Sequence, residues 1–97
     1  MSNVWKYQLR FDEGEVERTI EIPIGAQVLH VDMEIDRDTL KRTISFWALV
    51  DPEGETEERV FHLVGTGHPV WDDESYYGTI VVQAGLVLHL FERGGKK

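Results

Sequence analysis

Apolar and polar residues alternate along most of this chain with a period of two, the spacing of a strand with one buried face. From Val4 to Phe11, Trp5, Tyr7, Leu9 and Phe11 share one face, while Lys6, Gln8 and Arg10 share the other. Thr19–Ile24 repeats the pattern with Ile20, Ile22 and Ile24 inward. Pro23 has no N–H to give to a ladder, so this strand lies at an edge or ends there. Gln27–Ile35 places Leu29, Val31, Met33 and Ile35 on one face and His30, Asp32 and Glu34 on the other. Ile44–Val50 sets Ile44, Phe46, Ala48 and Val50 against Trp47 and Leu49. Arg59–Val64, Tyr76–Gln83 and Leu86–Glu92 complete the candidate strands.

The breaks between these runs are turn chemistry. Asp12-Glu-Gly-Glu is a turn in which Gly14 is free to take positive φ, and Asp51-Pro-Glu-Gly carries proline at its second position. Asp36–Arg42 is polar and too short to hold a helix before the next strand, so it reads as a hairpin loop. Ala84-Gly85 joins the last two runs as a tight antiparallel hairpin. Gly65–Ser75 is the longest stretch without periodicity, and the chain ends in a frayed tail from about residue 94. Short strands with turns every ~8–12 residues and no long helix predict an all-β fold. The expected architecture is a compact antiparallel sandwich or barrel of about seven short strands, in one domain spanning residues 1–97. Ile44–Val50 and the last hairpin are apolar on both faces, more than a small domain covers by itself, which predicts a homo-oligomer.

Charge and composition narrow the function classes. The 97 residues carry 18 acidic and 10 basic side chains, a formal charge of -8. That balance excludes a binder of duplex nucleic acid, which needs a basic face, and it disfavours docking on anionic lipid. Without cysteine there is no disulfide, thiol chemistry or cysteine-based zinc site. No apolar run approaches ~18 residues and no secretory h-region is visible, so neither membrane spanning nor export by that route is expected.

Candidate chemistry is sparse. His30, His62 and His89 fall on strands and His68 in the long loop, with no ligand spacing that builds a metal site; they read as ordinary strand histidines, hydrogen-bonded or at an interface. The carboxylates occur in turn runs, and Ser2, Ser45 and Ser75 lack a nucleophile-elbow context. No catalytic residue, metal ligand or cofactor is therefore assigned. Gly65-Thr-Gly-His-Pro either lets a ligand approach the backbone or is simply a strand exit. Trp71, Tyr76 and Tyr77 flank the acidic stretch Asp72–Ser75, and the two tyrosines point to opposite faces. Arg42, Arg59 and Arg93 are among the few cations available to an anion; alternatively they pair with surface carboxylates.

Lys6-Tyr7, Ile22-Pro23, Gly25-Ala26, Val28-Leu-His-Val, Trp47-Ala-Leu-Val-Asp, Val64-Gly-Thr-Gly-His-Pro, Tyr77-Gly-Thr and Leu88-His-Leu-Phe-Glu together resemble a family of small bacteriophage and prophage proteins of unknown function. The resemblance covers nearly the whole chain and is most specific at Val64–Pro69; the Asp36–Arg42 loop is longer and more charged than the family pattern. It implies the cytoplasm of an infected bacterium. In that setting the residues fit a non-catalytic sponge that sequesters a nucleotide-derived immune signal. Gly65, Thr66, Gly67 and His68 would supply donors, Trp47, Trp71 and Tyr77 would stack, and Arg42, Arg59 or Arg93 would meet phosphate. The alternative is an acidic protein-interaction module that inhibits a host protein directly.

Overall fold

The computed structural model describes residues 1–10 and 16–94. The turn expected at 12–15, Phe11 before it and the tail beyond residue 94 lie outside the described residues. The strands are β1 (Asn3–Leu9), β2 (Val16–Pro23), β3 (Gln27–Ile35), β4 (Arg42–Val50), β5 (Thr56–Gly65), β6 (Ser75–Gln83) and β7 (Leu86–Glu92). They form a sandwich of two antiparallel sheets: three strands in the order β1-β4-β3 and four in the order β2-β5-β7-β6. The choice between sandwich and barrel falls to the sandwich because the two hydrogen-bonded sheets are separate. No helix of the described residues is long and apolar enough to cross a membrane.

The alternation read from the sequence becomes the core. Leu9, Ile44, Phe46, Ala48 and Val50 point inward from one sheet, and Ile22, Phe61, Leu63, Leu88 and Leu90 from the other. Phe46 bridges the layers: its ring lies 4.6 Å from Phe61 on the opposite sheet and 5.2 Å from Tyr7 beside it. The predicted turns also form. Gly54 N–H donates to Asp51 C=O at 3.0 Å. Gln83 pairs with Leu86 across a two-residue turn in which Gly85 takes φ +81°. In the loop after β3, the Asp36 carboxylate accepts from the backbone N–H groups of Asp38 and Thr39 at 2.8 and 3.0 Å.

Four residues expected on apolar faces are exposed: Trp5 (38%) on the edge strand β1, Ile35 (51%) at the end of β3, Leu29 and Ile24. Leu29 is 46% exposed because β3 carries a bulge between Val28 and His30. Val28 and Val31 hold the inward phase, so Leu29 and His30 both leave it. Ile24 is 55% exposed because β2 stops at the buried Pro23. Its N–H then donates to Glu55 C=O at 2.8 Å, and Gly25 at φ +83° turns the chain toward the other sheet.

One side of the sandwich closes where β3 of one sheet packs on β6 of the other. Gly78 permits that approach: a Cβ there would sit 2.5 Å from Val31 Cγ1, closer than packed atoms allow. Gly78→Ala is expected to destabilise the fold by about 1–3 kcal/mol through overpacking. Combining it with Val31→Ala recovers part of that loss, so chemical denaturation of the two single variants and the double should give a clearly non-additive cycle.

Candidate functional site

The inward face of the four-stranded sheet carries charge where the sequence pattern predicts apolar side chains. Arg59 on β5 is in phase with Phe61 and Leu63, and Glu92 on β7 is in phase with Leu88 and Leu90. The two are 6% and 3% exposed and form a bidentate pair: Arg59 Nε and Nη2 donate to Glu92 Oε2 and Oε1 at 2.7 and 2.9 Å. Arg59 Nη1 also donates to Ala26 C=O at 2.8 Å, and Tyr77 Oη donates to Glu92 Oε1 at 2.6 Å. Planar guanidinium, carboxylate and phenol thus satisfy one another in a desolvated space. Glu57 Oε2 approaches Arg59 Nη1 at 3.9 Å and has no hydrogen bond among the described residues. The Glu92 carboxylate holds the Arg59 guanidinium above its ordinary range. Burial, reinforced by the bond to Glu92, pushes the Tyr77 phenol up to about 12.

The outward face of the same sheet is partly covered by the segment after β5. His62 and Glu74 are buried together, with Nδ1 2.9 Å from Oε1, and Glu74 Oε2 accepts the Trp71 backbone N–H at 3.2 Å. Arg93 lies beside this anchor. Its guanidinium sits 5.2 Å above the Trp71 ring and Nη1 donates to Glu17 at 2.7 Å. The Glu17 carboxylate raises the Arg93 pKa from its ordinary value.

Between the segment and the strands is an open depression of about 240 Å³, lined by Val64, Gly65, Thr66, Gly67, His68, Val70, His89 and Phe91. Gly65–His68 is a turn closed by the His68 N–H donating to Gly65 C=O at 3.1 Å, and Gly67 takes the φ of +93° that its third position demands. A polar chain borders the depression. His89 Nε2 lies 2.9 Å from Thr66 Oγ1, His89 Nδ1 lies 2.9 Å from Thr79 Oγ1, and Thr79 Oγ1 lies 2.6 Å from Tyr76 Oη. Phe91 forms an aromatic wall, its ring 5.4 Å from that of Tyr76. The surface therefore offers hydroxyls oriented by a buttressing imidazole beside an apolar floor.

Of the residues singled out in the sequence, the structure brings together Gly65, Thr66, Gly67 and His68 on one wall of this depression. Trp71 and Arg93 meet each other on the same outward face, beside a second hollow lined by Glu17, Thr19, Val60, Asp73, Arg93 and Gly94. Arg59 and Tyr77 meet inside the sandwich, bound to Glu92. Trp47 and Arg42 belong to β4 in the other sheet. The stacking and phosphate-binding set is thus divided among three places. Glu92, Glu74, Thr79 and His89 were not singled out as site residues. Glu92 has a legible signal, a carboxylate in phase with Leu88 and Leu90, whereas Glu74 lies in an acidic run that reads as solvated.

These features define an antiparallel β-sandwich with an internal ion pair and a shallow polar-aromatic hollow on one outer face. The chain belongs to the family described as a domain of unknown function (DUF7352), whose model matches residues 1–97. No curated protein and no solved structure matches the chain.

The Tyr77 phenol gives the interior a pH signature. Its pKa is pushed up from the ordinary phenol value of about 10 to about 12, so the stabilisation is fully present below about pH 10 and is lost as pH rises toward about 12. Wild type should exceed Tyr77→Phe by about 1–2 kcal/mol near pH 9, a difference that closes by about pH 12. Urea denaturation of both proteins across that range measures it.

Proposed function

We propose that this protein binds a small planar ligand without transforming it and acts as a phage accessory protein. In this reading it is a counter-defence sponge that holds a nucleotide-derived immune signal in the cytoplasm of the infected host, and it works as a homo-oligomer. The observation that carries the binding half is the Thr66–His89–Thr79–Tyr76 hydrogen-bond chain beside the Phe91 wall of the open depression. A nucleobase stacks on such a wall while its edge exchanges hydrogen bonds with the Thr66 hydroxyl that His89 orients. Arg93, two residues beyond Phe91 and stacked over Trp71 on the same outward face, is the cation offered to a phosphate attached to that base. The setting is supported by the resemblance carried by Val64–Pro69.

Binding without turnover is supported by the state of the imidazole. Both ring nitrogens of His89 are engaged by threonine hydroxyls, which fixes its orientation and leaves neither nitrogen unengaged to take a substrate proton. The second reading, direct inhibition of a host protein, is favoured by exposed Asp51, Glu53, Glu55 and Glu58 around the turn between β4 and β5. Such a cluster suits a basic partner surface.

The test is retention. The protein is mixed with a panel of linear and cyclic nucleotides, desalted, and heated, and the released material is analysed by mass spectrometry. The expected result is one intact nucleotide retained by wild type, with retention reduced about tenfold in Thr66→Val, which removes a ligand hydrogen bond, and in His89→Ala, which removes the imidazole that orients that hydroxyl. Near-native melting curves for both variants would keep the loss local. Chemically altered nucleotide would replace the sponge with an enzyme, and no retained nucleotide would return the function to protein interaction.

A further inference from the structure

The outward face of the three-stranded sheet is arranged in rows. Along β1 lie Val4, Lys6 and Gln8; along β4, Leu49, Trp47 and Ser45; along β3, Gln27, His30, Asp32 and Glu34. Arg10 continues the first row, since it lines the same hollow as Lys6, Gln8, Thr43, Glu34 and Asp36. One edge row is therefore basic and the other acidic. The two ends differ as well. Val4, Leu49 and the bulged Leu29 make one end apolar, exposed at 56%, 36% and 46%. The other end is charged. Trp47 lies between them, its ring 6.0 Å from His30.

We propose that this face docks on the same face of a second copy of the chain, about a two-fold axis running along β4. Only that axis matches the pattern. Rotation about a line parallel to the strands brings the β1 row of one copy over the β3 row of the other, so Arg10 faces Glu34 while Lys6 and Gln8 lie over His30 and Asp32. It also sets the apolar end on the apolar end, with Trp47 and Leu49 near the axis. A two-fold perpendicular to the strands, still in the plane of the face, would put basic row on basic row and charge against Val4 and Leu49. The face is thus self-complementary in charge and in apolarity for one symmetric arrangement.

The contact is of modest size. Three strands ~4.8 Å apart and about seven residues long give a flat area on the order of 350 Å² per copy, about 700 Å² for the pair and below the roughly 1,000 Å² of a stable specific interface, so the association is weak and transient. The expected product is a concentration-dependent dimer. Lys6 Nζ already donates to Glu34 Oε1 at 3.0 Å, and Ser45 Oγ to the same oxygen at 2.8 Å, so the acidic row is held in place before docking. Those bonds also hold the Glu34 carboxyl below its ordinary range. This proposal names the surface for the self-association part of the functional reading and is independent of the ligand.

The experiment is a charge swap read by sedimentation velocity between ~10 µM and ~1 mM, at ~0.15 M salt, where the Debye length of ~8 Å makes facing rows outweigh the overall charge. Wild type is expected to shift from monomer toward dimer across that range. Arg10→Glu and Glu34→Arg, each alone, put like charges face to face and should remain monomeric. An equimolar mixture of the two restores attraction at both symmetric contacts and should dimerise at least as well as wild type. Val4→Lys is a further probe at an exposed position and should abolish the dimer without altering the melting curve. Wild type that stays monomeric to ~1 mM would overturn self-association itself. A dimer that persists in Val4→Lys, or a mixture of the swapped variants that stays monomeric while each is folded, would overturn this surface. Nucleotide retention by a protein that stays monomeric would show that the ligand reading survives alone.

Discussion

The Arg59–Glu92 pair is the constraint around which the rest of this sandwich is arranged. Two opposite charges enter a core that is otherwise aliphatic and aromatic, and isolated burial of either would be prohibitive. Their bidentate contact makes that tolerable only with help from three other places. Tyr77 comes from β6, the Ala26 carbonyl from the connection between β2 and β3, and Phe61 presents its ring 5.8 Å from the guanidinium carbon. The ion pair therefore fixes neighbouring strands of the four-stranded sheet and ties the chain crossing between sheets to its end. Such a network constrains which side chains face inward, since a slip of one residue in β5 or β7 would put a lone charge in the core.

That internal commitment decides what remains for the surface. Arg59 and Tyr77 are the arginine and tyrosine most firmly engaged inside, so they are spent on the fold before any ligand arrives. The outward face keeps the open hollow, where His62 and Glu74 pin down the segment that shapes it. The two sheets have different outer faces as a result. One is partly covered by its own loop and bears the Thr66–His89–Thr79 chain. The other keeps a tryptophan, exposed aliphatic side chains and opposed rows of charge.

Most strands were legible because their burial pattern has period two. β3 and β7 have the expected bounds, and the inward row of β4 is the one its alternation predicts. Legibility fails where tertiary packing breaks the phase. The bulge that expels Leu29 leaves no mark in the local alternation, since Leu29 is itself apolar, and Ile24 continues an isoleucine series past the point where the chain leaves the sheet. The site was legible only in part. Gly65–His68 is the strand exit that the motif allowed, and the same turn lines the outer hollow. Partner choice was not legible: Arg59 pairs with a residue 33 positions away, and short-range spacing carries no information about such contacts.

The most direct test of this account is a double-mutant cycle on the ion pair, with Arg59→Met, Glu92→Leu and their combination compared by urea denaturation at neutral pH. Each single change strands a buried charge and is expected to cost about 3–5 kcal/mol, while the combined change removes both charges and should recover most of that loss. Single variants that lose less than about 1 kcal/mol, or a double variant whose loss equals the two single losses added together, would contradict the central place given to this pair.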